Sequence, residues 1–230
     1  MAWDTERTKR LLIEAGVAEF SSFGLAGARV DRIAEKAGVN KERIYQYFGK
    51  KEAFFSAVLE HELATTLAAV ELSGHGVAAI ADYAGRRFDY QREHPTFTRL
   101  LFWEGLELEA PVAEASRQKH AQAIVASARE AVPELSESDA QELLITVITL
   151  VDGWVALQTA DRLFSTPLPR GRDRDARRRD FIVMTVEAAT RAALTRTPPS
   201  ARTQLAAGSP RMGDAGSALR STRANGAGKA

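Results

Sequence analysis

The chain has 230 residues, 45% of them apolar, with a net charge of +1 and no cysteine. That length and apolar share suit one or two domains with a substantial core. The missing cysteines exclude disulfides and thiolate metal sites, which fits a reducing, cytoplasmic setting. A charge this close to neutral still admits a nucleic-acid partner, because a local basic patch suffices. No apolar run approaches the roughly 18 residues of a membrane span, and the opening MAWDTERTKR lacks the apolar core of a signal peptide.

Residues 4–23 read as one amphipathic helix, with Ile13, Gly16, Val17, Phe20 and Phe23 recurring three or four apart on one face. Gly24 ends it. A second helix follows from Val30, carrying Ile33, Ala34 and Ala37 as its apolar stripe. Gly38 suits a left-handed helix end. Asn40 is a good N-cap for a third helix, because its side-chain oxygen can accept a free backbone N–H. In that third helix Ile44 and Phe48 turn inward, leaving Lys41, Glu42, Arg43, Tyr45 and Gln46 facing outward. A short helix rich in donors, propped by the one before it, is a helix-turn-helix. Such a pair can lay its second helix in the DNA major groove.

After the Gly49-Lys50 turn, residues 51–72 form a further helix, with Phe54 or Phe55, Val58, Leu59, Leu63 and Leu67 on its apolar face. Here AGVNKERIYQYFGKKEAFF, preceded by a helix ending in F-x-x-F-G, resembles the DNA-binding domain of the TetR family of transcriptional regulators. The resemblance rests on the I-A-x-x-A-G-V turn, the Y-x-Y-F ending and the following K-E-A-F. It covers about the first quarter of the chain.

The remainder is helical by pattern. Helices are predicted over 77–92 (Ile80, Tyr83, Ala84, Arg87 and Phe88 near one side), 95–107, 111–132, 136–164 and about 175–196. Ser136 serves as cap for the long fourth one, with Asp139 three residues on, and Asp152-Gly153 is a local weakness in its middle. Residues 165–179 form a loop merging into a helix start. Residues 197–230 are rich in Pro, Gly, Ser and Ala and predict a disordered tail.

No catalytic motif is present, and His61, His75, His94 and His120 lack metal-ligand spacing. The chain is expected to be no enzyme and to need no cofactor or metal. DNA contacts are expected from the third helix. Arg43 can pair with guanine, Glu42 can accept from cytosine and Gln46 can read adenine, with Lys41 beside them in the first turn. Asn40 and the helix start can meet a phosphate. The resemblance implies phosphate contacts for Tyr45, Tyr47 and Lys51, and puts Arg29 near the backbone where the family often has Thr. Tyr47 can equally be partly core, and Glu42 can pair with Arg43.

The resemblance further implies an all-α fold of about nine helices. Residues 4–51 would be the three-helix DNA-binding domain and 52–196 a helical effector-binding and dimerisation domain. Tyr83, Phe88, Phe97, Phe102, Trp103 and Trp154 can line a pocket for a small apolar or aromatic effector, or be core. Val147, Val151, Val155, Phe181, Met184 and Ala188, on the last two long helices, are candidates for a homodimer interface, or core. The implied function is that of a repressor released from a palindromic operator by a small molecule. An activator or effector-independent DNA binder is the alternative, and an interaction module or enzyme on the same helical body a further one.

Overall fold

The computed structural model of the chain describes residues 2–164 and 171–196. The expected tail at 197–230 and the first part of the expected loop, 165–170, lie outside the described residues. Among the described residues there are ten helices and no strand. They are α1 (Ala2–Gly27), α2 (Val30–Ala37), α3 (Glu42–Phe48), α4 (Lys51–Ala69), α5 (Val77–Glu93), α6 (Thr96–Glu107), α7 (Glu114–Ala131), α8 (Glu137–Ala156), α9 (Gln158–Phe164) and α10 (Arg172–Thr195).

The local reasons are largely those the residues suggest. Gly38 takes the left-handed conformation, φ 64°, and its N–H closes the end of α2. The Asn40 side-chain oxygen accepts from the Glu42 N–H at 3.3 Å, so it caps α3 from one residue further out than expected. Ser136 accepts from the Asp139 N–H at 3.1 Å and starts α8.

Several boundaries differ from expectation. The α1 helix begins earlier and is interrupted at Gly24 (φ 69°, ψ −176°) before one further turn to Gly27. The α4 helix stops at Ala69. The α7 helix begins at Glu114, not Pro111, because Ala113 has φ 53° and cannot continue a helix backwards. Ten helices replace nine because the long 136–164 segment breaks. The break is not at Asp152-Gly153, where Asp152 is buried and held by Arg87 and Thr98. It falls at Leu157, and α9 leaves at 82° to α8. The Gln158 side-chain amide donates to the Trp154 carbonyl at 2.7 Å, satisfying one of the carbonyls that the ending helix frees.

Two hydrophobic clusters hold these helices. One joins α1 to α4 around Leu12, Phe20, Ile33, Ile44, Phe54 and Phe55, and takes Phe97 and Leu100 from α6. The other joins α5, α7, α8 and α10 around Ile80, Phe88, Leu143, Val147, Val151 and Ile182. No chain break separates them at 51/52, since α4 runs unbroken through that point. Helix α10 lies along α5. The approach is close at Gly85, where an added Cβ would stand 3.0 Å from Val183 Cγ2.

Candidate nucleic-acid interface and cavity

Helix α3 is split cleanly by burial. Ile44 is fully buried, whereas Lys41, Glu42, Arg43, Tyr45 and Gln46 are exposed, Tyr45 by 52%. Arg43 is braced rather than free. Its guanidinium donates to Gln46 Oε1 at 3.1 Å and to the Tyr47 hydroxyl at 3.3 Å. Its partners are therefore those residues and not Glu42. Tyr47 is half-buried, between the Arg43 guanidinium and the Lys9 ammonium of α1, each 5.9 Å from its ring centre. Lys41 donates to Asp31 at 3.1 Å and so ties the start of α3 to α2. The hydrogen bond and the charge of Asp31 raise the Lys41 pKa, keeping it cationic.

The remaining expected contacts lie beside this face. Asn40 and Arg29 are exposed, and Lys51 is half-buried. Lys51 Nζ donates to the Ala26 carbonyl at 3.2 Å, which leaves the ammonium two further donors. The Arg29 backbone N–H donates at 2.9 Å to the buried carboxylate of Glu19, which also accepts from Arg32 Nε at 2.8 Å. One acid thus joins α1 to the first turn of α2.

Burial pushes the Glu19 carboxyl up. The Arg32 hydrogen bond, the Arg29 N–H and the charges of Arg32 and Lys36 outweigh it and hold the pKa below its ordinary value. A carboxyl lowered by folding stabilises the fold above its unfolded pKa, about 4.3 for Glu, and that contribution is lost as pH falls through the folded value. Chemical denaturation from pH 7 down to pH 3 is therefore expected to show a steeper acid loss for the wild type than for Glu19→Gln. The variant should already be the less stable of the two at pH 7.

The end of α6 grips the end of α1. Because Gly24 breaks that helix, the N–H groups of Leu25 and Ala26 have no helical partner, and both donate to Glu107 Oε2, at 2.5 and 3.1 Å. Trp103 Nε1 donates to the Ser21 carbonyl at 3.2 Å.

On the other side of α6 lies a cavity of about 510 Å³, walled by α4 to α8. Leu63, Leu67, Leu101, Ile124, Val125 and Leu144 make it predominantly apolar. Of the six aromatics expected there, only Tyr83 and Phe97 line it. Phe88 is core, its ring 6.3 Å from that of Trp154. The outer side of Trp154 is covered by the guanidinium groups of Arg174 and Arg178. Phe102 is 42% exposed, and Trp103 belongs to the grip on α1.

Arg87, Arg117, His120 and the exposed Gln141 contribute the polar wall, with Glu114 and Gln118 paired to each other. Behind Arg87, the Asp152 carboxylate accepts from its guanidinium at 3.4 Å and from the Thr98 hydroxyl at 3.0 Å. Behind Arg117, Glu104 accepts from its guanidinium at 2.7 Å and from the Val112 N–H at 2.7 Å. No metal-binding cluster occurs among the described residues, and no single helix is long and apolar enough to cross a membrane.

Two of the expected interface residues are corrected. Val147 and Val151 are 0% and 1% exposed inside the second cluster, so neither can reach a partner surface. Val155 is half-buried, while Phe181, Met184 and Ala188 are exposed.

Residues 12–58 match the family described as bacterial regulatory proteins, tetR family. Residues 79–191 match the tetracyclin repressor-like C-terminal domain. The HTH-type transcriptional repressor SCO4008 of Streptomyces coelicolor is 43% identical over 132 residues, covering 56% of this chain and 67% of that protein. This chain belongs to the TetR family. The crystal structure of SCO4942 from Streptomyces coelicolor superposes with a TM-score of 0.65 and 30% identity over 79% of this chain and 97% of that one. The HTH-type regulator RutR of Escherichia coli is 36% identical over 101 residues, 43% of this chain and 48% of that protein. NicS of Pseudomonas putida, an HTH-type repressor, is 34% identical over 109 residues, 46% and 51% respectively. The chain spans about half the length of these last two.

As a TetR-family chain it is a DNA-binding transcriptional regulator and not an enzyme. Sequence reasoning passed over Glu19 and Glu107, weighed His120 only as a metal ligand, and treated Arg87 only as one member of a helix face. For Arg87 a signal existed, a charge on an apolar stripe beside Tyr83 and Phe88. For Glu19 and Glu107 none did, since both look like ordinary surface acids until the break at Gly24 is seen.

Proposed function

We propose that the protein acts in the cytoplasm as a homodimeric repressor. Its reading head, about residues 4–51, would bind a palindromic operator, and its body, about 52–196, would release that operator when a small molecule fills the cavity. The observation that carries this is the outward face of α3, where base-reading and phosphate-binding groups are exposed and braced from below by Ile44 and the α1–α4 core. Two-fold symmetry would put one α3 in each of two major-groove half-sites, about one helical turn or a multiple apart. Phe181, Met184 and Ala188 on α10 supply exposed apolar surface for the partner, with the half-buried Val155 of α8 as a further candidate.

Coupling is built into two helices. The α4 helix has Lys51 at the reading head and Leu63 and Leu67 on the cavity. In α6, Phe97 and Leu101 lie on the cavity and Trp103 and Glu107 on the end of α1. A ligand that spreads these helices would move the reading heads, and ligand and DNA would weaken each other reciprocally.

The test begins with selection of bound fragments from the source genome, followed by salt-dependent titration of the recovered palindrome. Lys51→Ala is expected to weaken binding about equally on operator and random DNA and to reduce the salt slope. Arg43→Ala should cost about 1–3 kcal/mol on the operator and relax preference at one base pair. Equal losses on both DNAs for Arg43→Ala would remove it from base reading.

A further inference from the structure

The cavity has a polar pole where the buried side-chain atoms without a partner are nitrogens. Arg87 is 6% exposed and lines the wall, and its one hydrogen bond among the described residues is the 3.4 Å contact to Asp152. That contact is at the weak end of the range and leaves most of the guanidinium donors without an acceptor. Arg87 Nε and His120 Nε2 are both buried with no partner in the protein. Arginine nitrogen can only donate.

The acids of the region are already engaged. Asp152 and Glu104 stand behind their arginines, accepting from them and from Thr98 and Val112, and Glu114 accepts from Gln118. Glu114 keeps its charge, because Gln118 is neutral, but it is exposed; at the buried pole a cationic ligand would meet Arg87 with Asp152 and Glu104 already paired to arginines. An acceptor, above all an anionic one, would complete the buried donors.

Accepting that the cavity is the effector site, we infer that the effector is an amphiphilic organic anion. Its carboxylate would accept from Arg87 and His120, and its apolar body would lie among Leu63, Leu67, Leu101, Ile124 and Val125. Burial, and then the charge of Arg87, hold His120 below its ordinary pKa. In the tautomer protonated at Nε2 the imidazole would give a carboxylate a single N–H, with the positive charge coming from Arg87.

Two dyes with the same ring body separate head group from body: anilinonaphthalenesulfonate, whose sulfonate stands in for the carboxylate, and the uncharged N-phenylnaphthylamine. Fluorescence titration of the full chain is expected to show the anionic dye binding about ten-fold tighter, the worth of one charge-assisted hydrogen bond. His120→Leu should narrow that preference. The double variant Arg87→Met with Asp152→Leu should abolish it, with the neutral dye bound at least as tightly as by the wild type, because the wall becomes more apolar. The double variant removes both charges of the buried pair together and so strands neither, and a thermal melt checks that it is folded.

Equal binding of the two dyes to the wild type, or a preference that survives both variants, overturns the anion assignment. If the neutral dye binds as tightly and releases the operator, the ligand-switched repressor stands and only the head group is wrong. If neither dye binds while operator binding is intact, the cavity is not a ligand site, and the anion assignment falls together with the effector part of the proposed function.

Discussion

Asp152→Ala is expected to destabilise the protein by about 3–5 kcal/mol, because it strands the buried Arg87 guanidinium without its counter-charge. For a domain of this size that corresponds to a fall in Tm of roughly 6–20 °C. Both side chains are 7% exposed, so little of either charge is solvated by bulk water. Thr98, fully buried, loses its acceptor at the same time. The double replacement Arg87→Met with Asp152→Leu should be far milder, because apolar residues of similar size often substitute for a buried pair without loss. Thermal melts of the single and double variants decide the matter. A single variant as stable as the double would mean that the pair holds nothing together.

The pair also marks where sequence reading stopped. The two faces of α3 were legible because Ile44 and Phe48 repeat at helical spacing while Lys41 to Arg43 do not share it, and the turn before them needs Gly38. The cavity was not legible. It is a void between α4 and α8, and an aromatic on an apolar face reads alike whether it borders that void, as Tyr83 and Phe97 do, or fills a core, as Phe88 does. Helix α8 is apolar around most of its circumference. Only the packing of α5, α7 and α10 around it decides that Val147 and Val151 face the core while Ile145 and Ile148 border the cavity, partly exposed. The break at Leu157 was hidden for a similar reason. Leucine is a good helix former, and the turned segment is tied by a long-range contact, Arg174 Nε of α10 donating to Asp161 of α9 at 2.9 Å. Asp152-Gly153 looked weak in one dimension, yet two long-range hydrogen bonds to the Asp152 carboxylate pin it.

Gly24→Ala is the substitution expected to separate the reading head from the body. Gly24 has φ 69° and ψ −176°, a region that only glycine occupies without strain, so any side chain costs about 1–3 kcal/mol there. An added Cβ would also stand 2.6 Å from Glu107 Oε1 and 2.7 Å from Trp103 Cε3. Those are the two side chains by which α6 holds α1, and relieving the overlap by moving them adds about 1–3 kcal/mol of its own. If Glu107 withdraws, the Leu25 and Ala26 N–H groups lose their acceptor, and the Ala26 carbonyl that Lys51 holds shifts with them. The expected result is a lowered Tm together with operator affinity reduced at temperatures where the variant is still folded. Gly105→Ala is the matching control on α6, because its added Cβ has nothing within 4 Å and alanine favours the helix. It should melt no lower than the wild type and bind operator unchanged. If Gly24→Ala lowers Tm but leaves operator affinity and its response to ligand intact, the α6 grip is a matter of stability alone, and the coupling must run through α4.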